Sequence, residues 1–248
     1  MTQRRDGVVL VHSSDLHVSD EQLPGFYNGL LGLRTVLAAA QALHADAVLL
    51  AGDTFDTARL SGRVLDETAA ILSAAALPLV LLPGNHDPIL PECLYRRAGL
   101  VGLPRVHILG ITHPDTILIE ELELEISGIA HRGSDMHPFG PPYARRTRWQ
   151  VVMAHGHYVP PSEWAEQSHR AWKFSDAAIG GLGADYIALG HWDRPTQVGD
   201  GSVPAYYSGS PDLAETVNVV SLREGAAPRV ERVRLDWDIA KRFSASTT

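Results

Sequence analysis

The chain has 248 residues, of which 45% are hydrophobic and 20% are charged, so it is long enough to bury one sizeable core. Its formal net charge of −8, from 21 Lys and Arg against 29 Asp and Glu, argues against a broad nucleic-acid-binding surface, because such surfaces depend on Lys and Arg. The single cysteine, Cys93, excludes an intrachain disulfide and a thiolate metal cluster, so any metal must take His, Asp, Asn and water as ligands.

The sequence contains no pattern typical of a membrane protein. No apolar stretch approaches the roughly 18 to 20 residues of a membrane span, and the N-terminus lacks the apolar core of a signal peptide. We therefore expect one domain over residues 1–248, located in the cytoplasm and without a membrane partner. The sequence leaves the oligomeric state open.

The first half of the chain alternates short apolar runs with helical patterns. Each apolar run ends in polar residues, as a buried strand does where it reaches the edge of a sheet. The predicted elements in chain order are strand Val8–Val11, helix Gly29–Leu43, strand Asp46–Ala51, helix Val64–Ala75 and strand Leu77–Leu82. This order predicts β-α-β units.

The second half of the chain predicts a second sheet. Thr116–Ile126 alternates apolar and acidic residues, as half-exposed antiparallel strands do. Residues His131–Arg148 are rich in Gly, Pro, Arg and His without periodicity, so we expect a functional or mobile loop there. Further strands are predicted at Trp149–Ala154, Tyr186–Leu189, Ala205–Ser208, Thr216–Leu222 and Val230–Leu235.

Five segments place metal-competent side chains just past the ends of apolar strands. Because open α/β sheets bind ligands at the carboxyl ends of their strands, we expect these side chains to converge. Carboxylate, imidazole and amide ligands together suit Mn, Fe or Zn better than a thiolate site or an all-oxygen calcium site does. The predicted metal ligands are Asp15, His17, Asp53, Asn85, His155 and His191.

The spacing of two of these motifs has a physical reason. With one residue between them, Asp15 and His17 in extended geometry point to the same side and can reach one ion. Gly52 allows a tight turn before Asp53, whose two carboxylate oxygens can each bind a different ion. Asp53 is therefore the predicted bridging ligand.

His86 and Asp87 are the predicted catalytic residues. His86 follows the ligand Asn85 and is one residue out of register with it, so it can meet a phosphate oxygen or protonate the leaving group. Asp87 is expected to orient His86 or to raise its pKa.

Together these motifs resemble the calcineurin-like metallophosphoesterase superfamily. Asp-x-His, Gly-Asp-x-x-Asp, Gly-Asn-His-Asp, a lone His and Gly-His follow one another in that family's order from about Val8 to Pro211. The resemblance implies a four-layer αββα sandwich of two mixed sheets with flanking helices. It also implies one metal held by Asp15, His17 and Asp53, and a second held by Asp53, Asn85, His155 and His191.

One position departs from the family's pattern. The family generally ends its last motif as Gly-His-x-His, whereas the second histidine is replaced here by Asp193. A carboxylate can still bind the first metal, and binds hard ions more tightly, so Asp193 is added to the predicted ligands. We expect two divalent or trivalent ions, with Mn favoured and Fe or Zn as alternatives. His157, two residues after His155, is an alternative ligand at that strand end.

Within the superfamily, the motifs are most similar to the bacterial exonuclease and double-strand-break nuclease branch. Those relatives usually carry a DNA-binding cap and further C-terminal segments, whereas we expect this acidic chain to be a stand-alone core. We expect hydrolysis of a phosphodiester by a metal-activated water, with nucleotides or nucleic acid as candidate substrates that the net charge does not favour. The alternatives are a phosphomonoesterase of the same fold and a non-catalytic binding protein that retains the fold.

Several other polar residues are more typical of structural roles. Asp56 is interpreted as a partner of a metal ligand, and His131 as part of a mobile, solvated loop, with a role in substrate binding as the alternative. The basic cluster Arg145, Arg146 and Arg148 is more typical of surface salt bridges than of a phosphate site. Surface or capping roles are predicted for His12, His44, His107, His113 and His169.

Overall fold

The computed structural model describes residues 6–21, 29–97, 99–133, 137–142, 144–165 and 172–238. His169 lies outside these residues. In the first half of the chain, four strands alternate with two helices. The elements are β1 Gly7–Ser13, α1 Gly29–Ala42, β2 Ala47–Ala51, α2 Gly62–Ser73, β3 Leu79–Leu82 and β4 Val106–Ile108.

The second half of the chain consists mainly of strands. Its elements are β5 Thr116–Ile119, β6 Leu124–Gly128, β7 Trp149–His155, β8 His157–Tyr158, β9 Lys173–Phe174, α3 Asp176–Gly180, β10 Tyr186–Gly190, β11 Thr196–Val198, β12 Ala205–Tyr207, α4 Pro211–Ala214, β13 Thr216–Arg223 and β14 Arg229–Arg234. None of the described helices combines the length and the hydropathy that a membrane span requires.

Two six-stranded mixed sheets form the molecule. The first has the order β14-β13-β1-β2-β3-β4, with β1 to β4 parallel and the last two strands of the chain antiparallel. The second has the order β11-β12-β10-β7-β6-β5, with parallel strands at its centre and an antiparallel strand at each edge. β8 and β9 form a small separate ribbon. These mixed sheets with few flanking helices confirm the predicted fold class.

The sheets pack on each other through one hydrophobic core. Residues of the first sheet, such as Val11 and Leu49, share this core with Val151 and Tyr186 of the second. All residues of β2 and β3 are buried, as expected for central parallel strands covered on both faces. Fully burying one leucine there contributes about 1.5–3 kcal/mol to stability. The apolar runs that predicted these strands are therefore the centre of the core.

Helix α2 begins two residues earlier than its apolar pattern predicted. Ser61 precedes the helix, and its hydroxyl accepts a hydrogen bond from the Val64 amide at 3.4 Å. A serine in this position satisfies one of the amides that a helix leaves unpaired at its first turn. The capping residue, and not the first apolar residue, sets the start of the helix.

The prediction of a surface or capping role for His12 is wrong. His12 is fully buried on β1, and its Nδ1 lies 2.8 Å from the Tyr186 hydroxyl on the second sheet. Burial lowers the pKa of His12 to about 3, so the ring is neutral in the folded protein. The pair is a buried polar contact between the two sheets.

The arginine cluster has the structural role that its composition indicated. Two nitrogens of Arg145 each lie 2.9 Å from an oxygen of Asp185, a bidentate pair. The Nε of Arg146 lies 2.8 Å from Glu125, and Arg148 lies 2.6 Å from Glu224. Their charges are therefore balanced within the chain.

Candidate metal centre

The loops that follow β1 and β2 run side by side at one edge of the first sheet. The Asp15 amide donates to the Gly52 carbonyl at 3.0 Å, and the His17 amide donates to the Asp53 carbonyl at 3.1 Å. As a result, Asp15, His17 and Asp53 each offer one ligand atom, and these atoms lie within 4.8 Å of one another. The structure thus brings together the three residues expected to hold the first metal.

The backbone at these residues differs from the extended geometry expected for Asp15 and His17. Their φ angles are 55° and 48°, and those of Asp53 and His191 are 50° and 108°. Non-glycine residues in such conformations cost on the order of 1–3 kcal/mol each and concentrate at functional sites. The two side chains therefore reach the same side through left-handed turns. Four of the eight described non-glycine residues with positive φ are predicted ligands.

The second group of predicted ligands meets the first at Asp53. The Asn85 Oδ1 lies 3.0 Å from the His155 Nε2 and 3.2 Å from the His191 Nδ1. The His155 Nε2 also lies 3.1 Å from the Asp53 Oδ2. The His191 amide donates to both oxygens of Asp15, at 3.1 and 3.0 Å. Side chains from both sheets therefore surround one small volume.

Two glycines allow this close approach. Gly52 has a φ of 93°, and a Cβ there would overlap the His155 ring. A Cβ at Gly190 would overlap the Ala51 carbonyl. The His155 Nδ1–H donates to that same carbonyl at 2.9 Å, which leaves its Nε2 facing Asp53. Any larger residue at either glycine would displace a predicted ligand.

The charges of these buried groups depend strongly on one another. Burial raises the pKa of Asp15 to about 6. Burial also acts to raise the pKa of Asp53, yet the neighbouring His155 imidazolium outweighs it and lowers this pKa overall. For His155, burial acts to lower the pKa, but the Asp53 carboxylate outweighs it and raises the pKa to about 9. Because a buried carboxylate requires positive charge beside it, this donor set fits metal cations.

Asp56 contacts both His17 and His86, as expected of a residue that holds a metal ligand. Its Oδ1 lies 3.2 Å from the His17 Nδ1, and its carbonyl accepts a hydrogen bond from the His86 Nδ1–H at 2.8 Å. The two rings lie edge to face, with centroids 4.8 Å apart. This leaves the Nε2 of His86 for another partner. The His86 side chain is 45% exposed. Since the three side chains offer ligand atoms within 4.8 Å of one another, Asp56 is also close enough to reach an ion.

The role expected for Asp87 requires a correction, because its carboxylate does not orient His86. It is fully buried and accepts hydrogen bonds from the Phe55 amide at 3.0 Å, the Gly84 amide at 2.6 Å and the Tyr95 hydroxyl at 2.6 Å. Burial and the nearby Asp53 charge raise the pKa of Asp87 to about 6. Asp87 therefore anchors the loop that carries Asn85 and His86, and Asp56 orients the His86 ring.

Two further candidates lie at the margin of the donor groups. Asp193 is exposed. It belongs to neither of the two groups of close carboxylate and imidazole ligand atoms found among the described residues, so its role as a metal ligand stays a prediction. Its side chain lines a cleft of about 640 Å³ together with His17 and Asp56. The Nδ1 of His157 accepts a hydrogen bond from the Trp192 indole at 3.0 Å, so this nitrogen already has a partner.

The interpretation of His131 as a solvated loop residue is wrong. It is 2% exposed, and its Nε2–H donates to the His155 carbonyl at 2.8 Å. Its ring stacks on Trp172 with centroids 3.4 Å apart. No local sequence pattern could have indicated this, because the partners of His131 come from distant segments of the chain.

Comparisons with known proteins agree with this arrangement. A family model described as calcineurin-like phosphoesterase matches residues 8–195. No curated protein matches the chain significantly. Among solved structures, TT1561 of Thermus thermophilus is 15% identical, with a TM-score of 0.60 over 92% of this chain and 99% of that chain. A second solved structure is 13% identical, with a TM-score of 0.56 over 91% and 99%. At these identities the two structures show similarity of fold.

Proposed function

Because the chain belongs to the calcineurin-like phosphoesterase family, whose activity is metal-dependent phosphoester hydrolysis, we propose that it hydrolyses a phosphodiester. The observation that carries this proposal is the contact of Asp53 with both donor groups. Asp53 lies with Asp15 and His17 on one side and contacts His155 on the other. A shared carboxylate of this kind is what a two-metal site needs.

The chain's own residues have distinct roles in this proposal. Asp15, His17 and Asp53 would hold one ion, with Asp193 as a further candidate. Bound ions, with Mn favoured over Fe or Zn, supply an activated water and positive charge that offsets the phosphate. The second ion would be held by Asp53, Asn85, His155 and His191.

His86 would protonate the oxygen of the leaving group. Its Nδ1–H is committed to the Asp56 carbonyl, so the proton transferred to the leaving oxygen comes from Nε2. Asp56 keeps the ring in this orientation, while Asp87 fixes the loop beneath it. Such proton transfer contributes about 10²- to 10⁴-fold to a rate.

Two concavities border the donor groups, one at His17 and one at Asn85, and favour a diester over a monoester. The cleft of about 640 Å³ begins at His17, and a smaller pocket of about 220 Å³ begins at Asn85. Pro88, Leu90 and Trp172 give the smaller pocket apolar walls. A diester has one substituent for each concavity, whereas a monoester has only one in total. The paired arginines give no support to nucleic acid as the substrate.

The test compares bis-(p-nitrophenyl) phosphate with p-nitrophenyl phosphate after metal loading. We expect hydrolysis of the diester to fall at least about 100-fold in His86→Asn, because an amide does not donate a proton as an acid does. His44→Asn provides a matched histidine change outside the site. Activity on the monoester alone would favour the phosphomonoesterase. A protein without metal or activity, by elemental analysis and by assay, would favour the binding protein.

A further inference from the structure

We propose that the cleft beside His17 receives the leaving alcohol and selects it by charge, accepting cationic or neutral alcohols and rejecting anionic ones. This inference rests on the proposed function and adds a substrate class to it. The cleft, of about 640 Å³, lies within the size range of small-molecule sites. It borders the proposed catalytic residue His86, since Asp56 and His17, which both contact His86, belong to its wall.

The position of His86 assigns this cleft to the leaving group. The Nδ1 of His86 is fixed to the Asp56 carbonyl, and the ring packs edge to face on His17. The proton donor His86 therefore contacts two residues of the cleft wall. The ester oxygen that receives the proton must lie beside His86, with its alcohol extending into the cleft. The substituent that stays on phosphorus then faces the smaller pocket at Asn85.

The wall of the cleft is strongly acidic. Among the described lining residues, Arg59 is the one cation. The lining carboxylates outside the proposed metal ligands are Asp20, Glu21, Asp56 and Asp212, and Asp193 is a candidate ligand. In bulk water one unit charge at about 4 Å changes affinity about fivefold, and several carboxylates act in the same direction. Among the described lining residues, the carboxylates outnumber the one arginine, so an anionic alcohol would be repelled on balance.

Apolar surface accompanies these carboxylates and gives the cleft a chemical character beyond charge. Leu16 and Leu60 are buried in its wall, while Leu213 is 55% exposed at its margin. Asp20 is held in place by the amide and the hydroxyl of Ser61, so its charge has a fixed position. Apolar surface beside fixed carboxylates suits an alkyl or aryl group that carries a positive charge.

The test uses two methyl aryl phosphates whose leaving phenols carry a para trimethylammonio group or a para carboxylate. Their intrinsic reactivities differ, so the measured quantity is the change in the ratio of their kcat/KM values between variants. Neutralising one cleft carboxylate, in Glu21→Gln or Asp212→Asn, should lower the kcat/KM of the cationic ester relative to that of the anionic ester about threefold to tenfold. Asp66→Asn removes the same charge from an exposed position of α2 outside the cleft and should leave the ratio unchanged.

A second measurement needs no turnover. Phenyltrimethylammonium and benzoate are titrated separately into the protein, and the methyl resonances of Leu60 and Leu213 are followed by NMR. The cation should bind at these methyl groups, and its affinity should fall about threefold to fivefold in Glu21→Gln. The Glu21 side chain is exposed, so this variant should fold. Benzoate should not bind there.

The outcomes separate this inference from the proposed function. An active enzyme whose ratio is the same in the cleft variants and in Asp66→Asn would overturn the charge selection alone, as would equal binding of benzoate. A metal-loaded protein inert to every diester and monoester would overturn the proposed function, and the leaving-group role with it.

Discussion

Replacing Asp87 by Ala removes the acceptor for three buried donors, the amides of Phe55 and Gly84 and the hydroxyl of Tyr95. Leaving a buried donor unsatisfied costs about 1–3 kcal/mol. Removing the Asp87 charge also relieves its repulsion with Asp53, which offsets part of this loss. We therefore expect Asp87→Ala to lower the free energy of unfolding by about 3–5 kcal/mol at pH 7.

Tyr95→Phe is the matched perturbation, because it removes one of the three bonds and leaves the carboxylate with two acceptor contacts. It should cost about 1–2 kcal/mol, and Asp87→Asn should lie between the two because its amide retains one acceptor oxygen. Urea denaturation of the single and double variants gives the coupling between Asp87 and Tyr95.

Two results would refute this reasoning. One is a loss below about 1 kcal/mol in Asp87→Ala, since three unsatisfied donors cannot cost so little. The other is strict additivity of the Asp87 and Tyr95 changes, because residues in direct contact should couple. Either result would show that Asp87 does not anchor the loop through these three hydrogen bonds.

Three further predictions concern pH, the backbone and metal binding. The pKa of His12 is about 3 in the fold against about 6.5 unfolded, so its contribution to stability is complete above pH 6.5 and is lost as the pH falls. Between pH 6 and 4 the free energy of unfolding, measured by urea denaturation, should fall by about 1.4 kcal/mol per pH unit more in the wild type than in His12→Asn. The same dependence on pH in both proteins would contradict this. Gly52→Ala should lower bound metal measured by elemental analysis, whereas Gly62→Ala, whose added Cβ meets nothing, should not. Removing metal with a chelator should lower Tm, and restoring it should raise Tm, because free ion at 100 times its Kd adds about 2.7 kcal/mol to the free energy of unfolding. An unchanged Tm would argue against tight binding.

The sequence predicted most of the elements that position the site. β1, β2, β3, β7 and β10 are apolar runs with polar ends, and burial makes such runs recognisable without knowledge of their neighbours. β4, β8, β9, β11 and the helices α3 and α4 were not predicted, because two to five residues are too few to show a period. Their existence depends on pairing with distant segments.

The site residues divide in the same way. Convergence of Asp15 and Asp53 follows from the parallel strands β1 and β2 that precede them, which the sequence revealed, and His155 joins them through the packing of the second sheet. The role of Asp87 does not follow from the strands, since its neighbour in the chain is His86 but its partners are Phe55, Gly84 and Tyr95. Contacts of this kind depend on the direction of one side chain, which residue order alone does not specify.

The donor groups are divided between the two layers of the molecule. Asp15, Asp53 and Asn85 follow strands of one sheet, while His155 and His191 end or follow strands of the other. Ion release and a local parting of the layers at this edge should therefore be one cooperative opening event. Amide hydrogen exchange in β2 and β10 should then slow together on metal loading, as in a cooperative unit that spans both sheets.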